Sequence, residues 1–112
     1  KLNWKYSTTF ADATTSNPYE VQLMHKLNGG EEEKLQTYKI TNNKVKTGSY
    51  EMPSNLVHSS YDVHTFYLKV EAMDSTFASS PIDLSISGKS QVTKVEATRY
   101  GEALLECGAD GW

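Results

Sequence analysis

A chain of 112 residues has room for one domain built on one hydrophobic core. A hydrophobic fraction of 38% and a mean hydropathy of −0.56 come with no apolar run near the roughly 20 residues that a membrane-spanning helix needs, so a helical span is excluded. The formal net charge of −3 and a pI of about 5.6, with no basic face in the pattern, argue against nucleic acid as a partner.

Leu2-Asn3-Trp4-Lys5-Tyr6 alternates, with Leu2, Trp4 and Tyr6 on one side, and predicts a strand over 2–7. Residues 8–18 are small and polar and end at Asn17-Pro18, so they read as a loop. A second strand is predicted over 19–27, with Tyr19, Val21, Leu23 and His25 sharing a face. Asn28-Gly29-Gly30 tolerates positive φ and predicts a hairpin, with the acidic run Glu31-Glu32-Glu33 solvated in its loop. The returning strand over 35–41 places Leu35, Thr37 and Lys39 on one face and Tyr38 and Ile40 on the other. Asn42-Asn43 makes the next turn. A strand follows over 45–52, with a bulge expected at Gly48 and a stop at Pro53.

Residues 54–64 form an irregular connection. The clearest pattern comes next. Phe66, Leu68, Val70 and Ala72 alternate in a strand over 65–73, and Ile82, Leu84 and Ile86 in another over 81–87. Gly88-Lys89-Ser90 reads as a boundary. Gln91 to Ala97 suits a strand or a linker, and Ala103-Leu104-Leu105-Glu106-Cys107 a strand or a short helix. Six to eight strands at regular spacing predict an all-β fold, an immunoglobulin-like or fibronectin-like antiparallel β-sandwich over 1–88. Residues 89–112 are expected to be a linker and C-terminal extension, able to add strands or to begin another domain.

Residues that carry chemistry are few. No phosphate loop, dinucleotide fingerprint or zinc spacing occurs, so no cofactor, no metal and no catalytic residue is expected. His58 and His64 flank one loop with Tyr61 and Asp62 between them. They make His58, Tyr61 and His64 candidates for a surface binding site, although two loop histidines lacking a third orienting group is the plainer interpretation. Tyr67 is out of phase with Phe66, Leu68 and Val70, so it belongs to the solvent face and is a further candidate. Cys107 is the one cysteine. It is expected to be a buried thiol or to form a disulfide with a residue outside this chain segment, and no neighbouring positive charge favours its thiolate. Glycoside hydrolysis needs two carboxylates on one cleft; Asp62, Asp74 and Asp83 lie in or near loops with no pairing legible.

Several segments, taken in order, resemble a known family. Leu2-Asn3-Trp4 is similar to the opening strand of the fungal Ser/Thr-rich, GPI-anchored cell-wall proteins, and Tyr19-Glu20-Val21-Gln22-Leu23 to their second strand. Thr47-Gly48-Ser49-Tyr50-Glu51-Met52-Pro53-Ser54-Asn55-Leu56 resembles their Gly-Ser-Tyr segment, Phe66-Tyr67-Leu68-Lys69-Val70 the strand that follows, and Ser79-Ser80-Pro81-Ile82-Asp83-Leu84-Ser85-Ile86 the closing strand. The resemblance covers 2–88. It implies an immunoglobulin-like domain exported to the cell wall and associated with β-1,6-glucan assembly, with no catalytic residue carried over. The chain departs from the family at Met52, where valine is frequent, and in the length of loop 8–18. The tail, Leu105-Glu106-Cys107 to Gly111-Trp112, resembles the first cysteine strand of an immunoglobulin domain in butyrophilin-type receptors. That resemblance implies a membrane-distal domain over 1–88.

The expected function is accordingly a non-enzymatic, secreted structural or binding module, extracellular or at the cell surface, with a polysaccharide as partner. The alternatives are an adhesion or receptor ectodomain that binds a cell-surface protein, and a small glycan hydrolase.

Overall fold

The computed structural model describes residues 2–51, 62–72, 75–84, 91–98 and 101–109, and shows an all-β chain. Its strands are β1 (Leu2–Phe10), β2 (Tyr19–Leu27), β3 (Glu33–Ile40), β4 (Lys46–Glu51), β5 (His64–Glu71), β6 (Thr76–Ala78), β7 (Ile82–Leu84), β8 (Gln91–Thr98) and β9 (Gly101–Ala109). They form two antiparallel sheets: β4-β1-β9-β8, and β3-β2-β5-β6 with β7 also on β5. The sheets face each other as a sandwich, the architecture predicted, with nine strands among the described residues against the six to eight expected.

The period-two pattern is what closes it. Trp4, Tyr6, Thr8 and Phe10 of β1 meet Val21, Leu23, Phe66, Leu68 and Val70 of the other sheet, and all are buried. Trp4 packs edge-on against Phe66, with ring centroids 4.4 Å apart. Phe10 stacks on Tyr19 at 4.3 Å toward the opposite end. Thr8 to Phe10, expected in a loop, extend β1 because both Thr8 and Phe10 find partners: the Thr8 hydroxyl donates to the Lys46 carbonyl, and Phe10 fills the core.

The short strands have a similar physical cause. Pro81 cannot donate to a ladder, so the segment opposite β5 is split. β6 pairs with Lys69 to Glu71 and β7 with His64 to Phe66. Ser79 fills the gap: Leu68 N donates to its hydroxyl at 3.0 Å, and Ser79 N donates to the Leu68 carbonyl at 2.9 Å.

Of the two alternatives left open for the C-terminal segment, added strands or the start of another domain, it adds strands: it supplies β8 and β9, and β9 lies inside its sheet, paired with β1 from Leu2↔Ala109 to Phe10↔Gly101. Ala103, Leu105 and Cys107 point inward while Leu104 and Glu106 do not, a strand pattern rather than a helical one. One expectation is corrected: there is no bulge at Gly48, since β1 and β4 pair without a break from Asn3↔Glu51 to Thr8↔Lys46. The bulge is in β3. The β2–β3 register slips by one between Leu23 and Met24, leaving Leu35 as the extra residue.

Candidate functional site

Two features gather polar groups: a histidine cluster at one end of the core, and a groove on the outer face of the four-stranded sheet.

His25 continues the inward row Tyr19, Val21, Leu23 on β2, and His64 begins the inward row Phe66, Leu68, Val70 on β5. Both are buried, at 5% and 1% exposure. Their nitrogens meet, His25 Nε2 to His64 Nδ1 at 2.9 Å. The other nitrogen of His25, Nδ1, lies 2.9 Å from Glu33 Oε1. Both rings stack on the Phe66 ring, with centroids at 5.0 and 6.2 Å. The β3 bulge makes this possible. An unbroken register would put Lys34 across from His25; the one-residue slip puts Glu33 there. A carboxylate accepts only, so His25 donates from Nδ1, and a neutral His25 then accepts at Nε2 from His64 Nδ1–H.

The groove has a volume of about 450 Å³ and is lined by outward residues of all four strands. The registers order them in rows. Ser49, Lys5, Glu106 and Val92 lie side by side across the sheet, as do Thr47, Ser7 and Leu104. Hydroxyls crowd the β4 side, apolar surface the β8 side. Val92 is 64% exposed and puts an aliphatic side chain at the β8 edge of the groove. A smaller depression of about 300 Å³ near Pro18 and Ala72 is walled by Glu20, Lys39 and Glu71.

The sequence candidates fall as follows. His58 and Tyr61 lie outside the described residues, as does Asp74. His64 is not a loop residue: it is the first residue of β5 and is buried, because its side chain falls on the inward phase of that strand. Tyr67 is on the outer face, half-buried, across from Met24. Cys107 is a free, fully buried thiol, as the first of its two expected states has it. Burial, with the Glu106 charge adding, pushes its ionisation far up, so it stays a thiol. Asp62 accepts from Asn28 Nδ2, and Asp83 accepts from the Thr65 hydroxyl. Glu31 to Glu33 are exposed as expected, with Glu32 3.0 Å from Lys69 Nζ and Glu33 drawn into β3. Among the described residues, no group of three or more His, Cys, Asp or Glu is placed to hold a metal ion.

The His25–Glu33 pairing was absent from the sequence expectations. The inward phase of His25 was readable; the bulge that selects Glu33 over Lys34 was not. The groove was equally hidden, since Lys5 and Ser7 are plainly outward, yet nothing local brings Leu104 and Glu106 beside them. Comparison of the chain with protein-family models, curated proteins and solved structures gave no match.

Proposed function

We propose that the chain is a non-enzymatic binding module of the cell surface or cell wall, and that it holds a polysaccharide in the groove on the outer face of the four-stranded sheet. The groove itself is the observation that supports this. Ser7, Thr47 and Ser49 offer hydroxyls that both donate and accept, which suits the hydroxyl rows of a sugar chain. Glu106 accepts and Lys5 donates, and a pair of neighbouring sugar hydroxyls engages such groups. Leu104 and Val92 give an apolar floor for the C–H face of a pyranose ring. These residues stand on paired strands, so the surface is held in shape before a ligand arrives, which lowers the entropic cost of binding. The order of segments that resembles the fungal cell-wall family points to the same partner class, β-1,6-glucan above all.

The test is a glycan array set against a panel of cell-surface proteins, followed by titration calorimetry with β-1,6-glucan oligosaccharides. Wild-type protein is expected to bind glycan. Leu104→Asp and Val92→Asp are expected to weaken binding about tenfold or more, roughly 1.4 kcal/mol or above. Binding to a protein on the panel and to no glycan would instead select the adhesion or receptor alternative. Val92 on the edge strand β8 would then be the natural anchor for an added strand. Turnover of the oligosaccharide would select the hydrolase.

A further inference from the structure

We propose that His25 and His64 form a buried proton-binding latch, which closes one end of the sandwich near neutral pH and releases it in acid. The proposal is independent of any glycan.

Proton counting on the two rings leads to it. With both rings neutral, His64 Nδ1–H donates to His25 Nε2, and His25 Nδ1–H donates to Glu33. One added proton leaves the chain of bonds intact. The added proton sits on His64 Nε2 and the His64 Nδ1 proton passes to His25 Nε2; His25 then donates from both nitrogens, to Glu33 and to His64 Nδ1, and its charge rests against a carboxylate 2.9 Å away. A second proton has no place. His25 Nε2–H and His64 Nδ1–H would point at each other across 2.9 Å, two like charges inside the core. The rings must part.

Their parting reaches a clasp in the chain. His64 follows Val63, and its register partner Leu27 precedes Asn28. Asn28 N donates to the Val63 carbonyl at 2.8 Å, Val63 N donates to Asn28 Oδ1 at 2.8 Å, and Asn28 Nδ2 donates to Asp62 Oδ1 at 3.0 Å. Asn28 holds a φ of 50°, in the left-handed region that asparagine tolerates better than most residues. Separation of the rings therefore strains the β2–β5 end and these three bonds together.

Other charges around the pair are accounted for among the described residues. Glu33 from β3 is bonded to His25. Asp62 is held by Asn28, and Asp83 of β7 is exposed and bonded to Thr65. Lys26 and Lys34 take outer-face positions on β2 and β3. On the facing sheet, Cys107 is the register partner of Trp4, which packs on Phe66, and burial keeps it a neutral thiol.

Apart, the two rings can take up two protons, whereas the latched pair takes up one, so acid favours release; for a histidine of ordinary pKa near 6.5 that one extra proton is worth at most about 30-fold at pH 5. The test is amide hydrogen exchange by NMR at pH 7.5 and 5.0, corrected for intrinsic rates. Protection at Asn28 and Val63 is expected to fall in acid, by up to about 30-fold, while β1 and β9 amides hold theirs. His25→Gln, which bonds but does not titrate, is expected to abolish the difference. Glu33→Gln is the safer variant, because that side chain is 54% exposed. It keeps an acceptor for Nδ1–H and removes the charge that accommodates the first proton, so release should move toward neutral pH. Equal protection at the two pH values in the wild type, or a Glu33→Gln shift that is absent or runs toward acid, would overturn the proposal.

Discussion

The space a side chain would take at Gly48 is filled by the Tyr6 ring, which lies over β4 and stacks on Tyr38 at 4.5 Å. The residue is a glycine for room, in a strand whose register is regular. Cys107 and Tyr38 show the other way a single position matters, through burial of an ionisable group. Desolvation raises both ionisations, most for the groups deepest inside. The sign follows from where each proton sits. Unfolded cysteine ionises near pH 8.5 and unfolded tyrosine near 10, while the folded protein keeps both protons. Above those values the unfolded chain binds fewer protons, so stability falls with rising pH. Urea unfolding at pH 7.5, 9 and 10.5 is expected to show a loss that starts above about pH 8.5 and steepens above about pH 10. Cys107→Val, close in volume, should remove the first part of that loss and leave the second.

At the scale of the element, β3 carries the most information per residue. Up to Leu23 it pairs with β2 in one register, and beyond Met24 in the next. One extra residue, Leu35, decides which side chain reaches the core end of β2. Deleting Leu35 should close the ladder while keeping Lys34 across from Met24 and Glu33 across from His25, so the histidine contact survives it. Glu33→Ala, which leaves the register alone, is expected to cost about 1–3 kcal/mol in chemical denaturation, from a lost charge-assisted hydrogen bond to a buried donor. A Glu33→Ala variant as stable as the wild type would mean that the bulge serves only the curvature of the sheet.

For the whole molecule the governing fact is that the first and last described strands are neighbours. β9 lies between β1 and β8, so the four-stranded sheet exists only when the C-terminal segment is in place. A chain ended at Gly88 would leave β1 with β4 as its one partner strand and uncover the core beside Trp4, Tyr6 and Phe10, which β9 faces with Ala103, Leu105 and Cys107. Such a truncation is expected to lose cooperative thermal unfolding and amide shift dispersion altogether. A well-dispersed spectrum from residues 1–88 would show that the boundary at Gly88 is real after all.

Strand identity and facing were legible in the residues themselves, because alternation is a local property with a period of two. Tyr19 to Leu23, Phe66 to Val70 and Ile82 to Leu84 lie on the faces their spacing implies, and Tyr67 lies on the opposite one. Partner choice was not local. Whether Ala103 to Cys107 formed a strand or a helix, and whether it belonged to this core, depended on β1 offering an open edge almost a hundred residues earlier in the chain. His64 follows the same rule: its inward phase exists because β5 begins at that residue, paired with Leu27 of β2. The groove and the Glu33–His25–His64 chain arise from side chains contributed by separate strands. Their meeting is set by sheet order and by a single slipped register, and both are decided by packing the whole chain.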